Sequence, residues 1–142
     1  MKLEDVLAAK GRRVVSVSAK SSIADALRTM HAEKVGAVLV PDAEGCPVGI
    51  FTERDAVRLY AEGDRDFDSL AVAARMTCSL VVGRLSMTVD EALGLMTERR
   101  FRHLPVVEDG RLLGLVSIGD LVKLKLEEAA QEAQALRAYI AS

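Results

Sequence analysis

Slid along itself by 66 positions, the sequence meets its own pattern a second time, and no other feature limits its possible folds so sharply. Val6 falls on Val72, Val15 on Val81, Ala26 and Leu27 on Ala92 and Leu93, Met30 on Met96, and Val40 on Val106. Past a loop the offset drops to 65, because "PDAEG" is one residue longer than "VEDG". From there Gly45 falls on Gly110, Gly49 on Gly114, Thr52 on Ser117, Asp55 on Asp120 and Val57 on Val122. Register kept across two separate segments marks a duplicated unit.

Each copy reads β-α-β-β-α. In the first, "VVSVS" is a short β-branched run, and "SSIADALRTMHAEKV" carries Ile23, Ala26, Leu27 and Met30 at helical spacing. Ser22 with Asp25, and Thr88 with Glu91, have the spacing of a capping box at that helix start. "GAVLVPDAEGCPVGIF" predicts strand, turn, strand; "LPVVEDGRLLGLVS" repeats it, with Asp109-Gly110 as a hairpin signal. A helix follows each, from Asp55 to Ala61 and from Asp120 onward. One unit, with a three-stranded sheet and two helices, could barely bury enough surface alone. Two units stacked through their sheets could, in a pseudo-twofold α+β module with paired clefts between the halves. The repeats span residues 1–62 and 72–124, joined by a polar linker at 63–71 and followed by a C-terminal helix at 125–142.

Composition narrows the function. Half of the 142 residues are hydrophobic and 28% are charged, which suits a globular chain. A net charge of −2 and 4% aromatic residues without Trp argue against nucleic acid as a partner. The amphipathic start "MKLEDVLAAKG" lacks the apolar stretch of a signal peptide, and no segment is long enough to span a membrane, so a cytoplasmic location is expected. Cys46 and Cys78 lie far apart without metal-ligand spacing. There is no recognisable nucleophile setting, no P-loop and no GxGxxG after a strand, so we expect a binding module and not an enzyme.

The junctions "GIFTERD" (Gly49–Asp55) and "GLVSIGD" (Gly114–Asp120) carry the chemistry. A hydroxyl three residues before a carboxylate caps a helix start. The same helix end offers free N–H groups and positive dipole to a phosphate, and a carboxylate can accept both hydroxyls of a ribose. The residues by themselves favour capping. Gly36, Gly49, Gly114 and Gly119 would allow close approach of chain or ligand.

Twice in register and in order, the helices "ADALRTM" and "DEALGLM", the strand pairs and the closing "TERD" and "SIGD" resemble a tandem of CBS domains, the cystathionine β-synthase type of regulatory module. The resemblance runs from about Val6 to Val122. It implies a stand-alone sensor that binds an adenosyl ligand between its repeats (AMP, ADP or ATP, with NAD(H) or S-adenosylmethionine as alternatives). Signal transduction to an unidentified regulated protein, and a homodimer of two tandems in a disc, are implied as well. By resemblance Asp55 and Asp120 hold ribose and Thr52 and Ser117 meet phosphate, with Arg54 and Gly119 in the same turns. Val35, Gly36, Ala37 and Ile50 wall the adenine in one copy, and Phe101, Arg102, His103 and Leu115 in the other. Ser21 matches a family hydroxyl whose second-copy position is Met87, which cannot donate.

In the basic cluster "TERRFRH", Arg102 and His103 begin a strand where a guanidinium can grip phosphate, while Arg99 and Arg100 are expected at an exposed helix end. Val122, Leu126, Ala129, Ala133, Leu136 and Ile140 form a heptad seam along the tail. We expect it to pack back on its own module, with a dimer contact as the alternative. A ligand-free dimerising scaffold, whose junctions only cap helices, is the rival to the sensor.

Overall fold

The structure, a computed structural model, describes residues 1–142. Its helices are α1 (Leu3–Lys10), α2 (Ile23–Glu33), α3 (Glu53–Ala61), α4 (Val89–Arg99) and α5 (Ile118–Ala141). The strands are β1 (Ala37–Pro41), β2 (Pro47–Thr52), β3 (His103–Glu108) and β4 (Arg111–Ser117), and Val72–Ala74 forms a single 3₁₀ turn. Ser22 Oγ accepts the Asp25 amide at 3.0 Å and Thr88 Oγ1 that of Glu91 at 3.1 Å, so in each copy the hydroxyl starts its helix as the spacing predicts. Only Glu91 reciprocates, taking the Thr88 amide at 3.4 Å.

Each repeat contributes an antiparallel hairpin. Asp109 and Gly110 both adopt positive φ, 51° and 75°, as a tight two-residue turn requires. The pairing sets Ala37 opposite Thr52 and His103 opposite Ser117, so each strand start lies beside the junction hydroxyl. Alternation then divides β1 and β2: Val38, Val40 and Phe51 enter one core, while Ala37, Leu39 and Ile50 meet Leu112 and Leu115 of the other repeat. The halves are joined along that apolar seam.

The expected third strand is cut to one parallel bridge per repeat, Ser16 to Leu39 and Gly83 to Val106. The chain bends away at once. The Ser21 amide bonds back to Ser18 and that of Met87 to Arg84, which delivers the backbone to the next helix start before a ladder can grow.

Cores do not follow the order of the chain. Leu3, Val6 and Leu7 of α1 are buried with Val89, Met96 and Leu104 of the second repeat. Val72, from the start of the second copy, is buried with Ile23, Met30 and Phe51 of the first. Backbone hydrogen bonds seal the exchange: Leu3 to Met87 at 2.9 Å on one side, Val72 to Ser21 at 2.8 Å on the other. Val72 therefore takes the place of Leu3, not of Val6 as the sequence offset suggests. Truncating Leu7 to Ala should cost about 2–5 kcal/mol, and native-state hydrogen exchange should speed up in β3 and β4 more than in β1 and β2.

The tail does not pack back. Leu126, Leu136 and Ile140 are 66%, 59% and 73% exposed, because α5 continues beyond its last anchors on the module, the packed Leu124 and the Lys125 ammonium 3.0 Å from Asp90. No helix is long and apolar enough to cross a membrane.

Candidate functional site

Both junctions are complete capping boxes. Thr52 Oγ1 accepts the Asp55 amide at 3.1 Å and Asp55 Oδ2 accepts the Thr52 amide at 2.9 Å. Ser117 and Asp120 repeat the arrangement at 3.1 and 2.8 Å. The first helical amides are also taken, Glu53 by the Gly36 carbonyl at 3.1 Å and Ile118 by the Arg102 carbonyl at 2.9 Å. Capping consumes only one carboxylate oxygen, so Oδ1 of each aspartate stays available. Capping and ligand binding are thus compatible on the same residue.

The structure separates the two junctions into different clefts. The larger, about 1090 Å³, joins Thr52, Glu53, Arg54 and Asp55 at the start of α3 to Phe101, Arg102 and His103 of the second repeat. Ile50, Arg58, Thr77, Arg100 and Ile118 complete its walls. The smaller, about 240 Å³, joins Ser117 and Asp120 to Val35, Gly36 and Ala37 of the first repeat, with Leu115, Lys10, Arg13 and Lys34. Each junction thereby faces the strand start of the opposite repeat. His103 lines both clefts, 3.7 Å from where a Cβ on Gly36 would sit.

Sequence-derived candidates distribute accordingly. Ile50, Thr52, Arg54, Asp55, Phe101, Arg102 and His103 come together in the large cleft. Val35, Gly36, Ala37, Leu115, Ser117 and Asp120 come together in the small one, again with His103. Ser21 and Gly119 form no wall of either cleft. Ser21 instead gives its carbonyl to Val72 in the core exchange. Arg100 is exposed at the end of α4, as expected, and as the C-cap there it also lines the large cleft; Lys34 is its counterpart on α2. Their positive φ values, 57° and 58°, turn both chains into the clefts. The matching positions of Lys34 and Arg100 in the duplicated pattern were the available signal.

Lys10 was missed because 110 residues separate it from its partner. Its ammonium donates to Asp120 Oδ2 at 2.6 Å and to the Leu115 carbonyl at 2.8 Å. Burial disfavours the ionised Asp120, but hydrogen bonds from Lys10 and Ser117 outweigh it and hold the carboxyl below its usual range. Asp55 has only the Arg58 guanidinium nearby, 3.7 Å from Oδ1. Burial is also the largest influence on His103 and pushes it below the ordinary 6.5; Lys10 and Arg102 act with it, and Asp120 and Asp55 against.

Two outcomes follow from these environments. His103 is more readily protonated unfolded than folded, so stability should fall as pH drops through 6.5, and His103→Gln should flatten that part of a melting-temperature profile. Asp120 adds stability that is present above 3.8 and is lost only as pH falls on through its lowered folded value. Separately, Arg100→Gly should stabilise the fold by about 1 kcal/mol by relieving a left-handed residue. Lys34→Gly should stabilise similarly, and chemical denaturation reads both.

A family model described as CBS domain matches residues 4–62 and again 71–127. The chain is 34% identical over 146 residues to the CBS domain-containing protein CBSX3, mitochondrial, of Arabidopsis thaliana, covering 97% of this chain and 71% of that one. It is similar to the crystal structure of the CBS-domain containing protein ATU1752 from Agrobacterium tumefaciens, with 45% identity and a TM-score of 0.85 over 88% of this chain and 99% of that one. The CBS domain pair of protein MJ0100, solved with 5′-methylthioadenosine and S-adenosyl-L-methionine, shares the fold at 21% identity and a TM-score of 0.79, over 90% of this chain and 98% of that one. The doubled pattern, the exchanged core segments and the facing clefts therefore have a shared origin: the chain belongs to the CBS domain family, as a tandem pair.

Proposed function

We propose that this chain is a regulatory sensor that binds an adenine nucleotide in the Asp55 cleft and signals to a partner protein. CBS pairs are generally regulatory ligand-binding modules, and the MJ0100 pair was solved with two adenosyl ligands. The observation that carries the choice of ligand is the charge of the large cleft: Arg54, Arg58, Arg100 and Arg102 stand against Glu53 and Asp55. Asp55 Oδ1 suits a ribose diol, Ile50 and Phe101 supply apolar wall, and the guanidinium groups suit phosphates. AMP, ADP or ATP fit that balance; NAD(H), also a phosphate carrier, is the alternative. S-adenosylmethionine, a cation at its sulfonium, fits it less well.

The cleft lies between the repeats, so a ligand that prefers one relative pose of the halves shifts the population toward it. The exposed seam of α5 supplies the dimer contact in this proposal, and the module works in the cytoplasm. The rival scaffold finds support in the complete capping boxes, which would form without any ligand.

Thermal unfolding with AMP, ATP and NADH separates the two. At a hundred times Kd a nucleotide should add about 2.7 kcal/mol of stability. No shift with any of them at millimolar concentration would leave the scaffold. Asp55→Asn, which keeps an oxygen for the Thr52 amide and drops the charge, should retain the fold and lose the shift.

A further inference from the structure

The duplicated clefts are not equivalent, and the difference traces to how far the two exchanged segments stay helical. The second segment is helical only over Val72–Ala74; Thr77 then pairs through its backbone with Ile50, at 2.9 and 3.0 Å, on the wall of the large cleft. The first remains helical to Lys10, where Gly11 at φ 95° ends it. The longer helix carries a lysine to Leu115, the residue that matches Ile50 in the other repeat.

We infer that Lys10 acts as a built-in occupant of the Asp120 cleft, so that this tandem takes up one nucleotide per chain, in the Asp55 cleft. The inference rests on the nucleotide reading above. The ammonium sits on the carboxylate that a ribose would need and holds the neighbouring strand carbonyl as well. Oδ1 of Asp120 stays open, but a nucleotide using it must share a carboxylate already neutralised by Lys10 inside the same narrow cleft, or else break both charge-assisted hydrogen bonds and find room for the displaced side chain. Space is short: at about 240 Å³ the cleft falls below the roughly 300–1,000 Å³ usual for small-molecule sites.

Charge points the same way. Of the cations in the small cleft, Lys10 is paired with Asp120 and Arg13 with Glu33, which leaves Lys34 to meet phosphate. The Asp55 cleft has no lysine on its carboxylate and has three guanidinium groups besides Arg58. Lys10 is therefore a residue that decides which of two duplicated sites is filled.

Isothermal titration with ATP tests this on the full chain. Wild type should bind one nucleotide per chain and Lys10→Met two, while Lys10→Arg, which keeps the charge, should return to one. Asp55→Asn should bind none, and Lys10→Met combined with Asp55→Asn should bind one, at the Asp120 cleft. Wild type binding two, or Lys10→Met remaining at one, would overturn the inference. Binding by Lys10→Met and by the double variant, with none by wild type, would instead overturn the Asp55 assignment and leave Lys10 as the block. Silence from every variant would remove both. Should Lys10→Met fail to show a cooperative melt, Lys10→Ala carries the same expectations.

Discussion

Neither half of this protein closes its own core, and the rest of the structure depends on that deficit. The second repeat is completed by Leu3, Val6 and Leu7 from the front of the chain, and the first by Val72 from beyond the linker. A segment that must reach across to bury its apolar residues ties the halves together more firmly than sheet contacts alone. It also fixes where the sheets meet, along Ala37, Leu39 and Ile50 against Leu112 and Leu115. The clefts are the space left on either side of this seam, which is why each is walled by both repeats.

Within the clefts, capping leaves each junction carboxylate a second oxygen. The oxygen that takes the junction amide orders the helix start, and that order fixes the direction of the second oxygen. In the proposed sensor, a ligand at Asp55 would meet a side chain whose rotamer is already set, which would lower the entropy lost on binding. The left-handed turns at Lys34 and Arg100 are the opposite case: glycine would suit the backbone better, and a cation sits there facing a cleft.

Duplication supplies two clefts, and divergence sets them apart. The residues that repeat faithfully are those of the junctions and the helix interiors, where backbone geometry restricts the choice. Several residues that differ lie on the cleft walls: Gly36 against Arg102, Ala37 against His103, and Lys10 against Met76 at the 66-residue offset. One set of walls became wide and cationic, the other narrow and internally neutralised. His103 is shared by both walls, and burial is the largest influence holding its pKa below the ordinary value.

The sequence by itself determined the duplicated unit, its helices and hairpins, and the two capping junctions, because helical period, β-branched runs, turn glycines and capping spacing act over a few residues. Resemblance to the family, beyond those local signals, put Asp55, Asp120, Arg102 and His103 at a cleft, where the structure has them. Only the tertiary structure decided that the leading segments exchange between cores, that the third strands shrink to bridges, that the tail stands clear, and that Lys10 meets Asp120. Those outcomes rest on contacts between residues dozens of positions apart, chosen by which apolar faces and charges fit once all the elements are packed. A pattern repeated every 66 residues fixes what each half is, but not which half its ends will join.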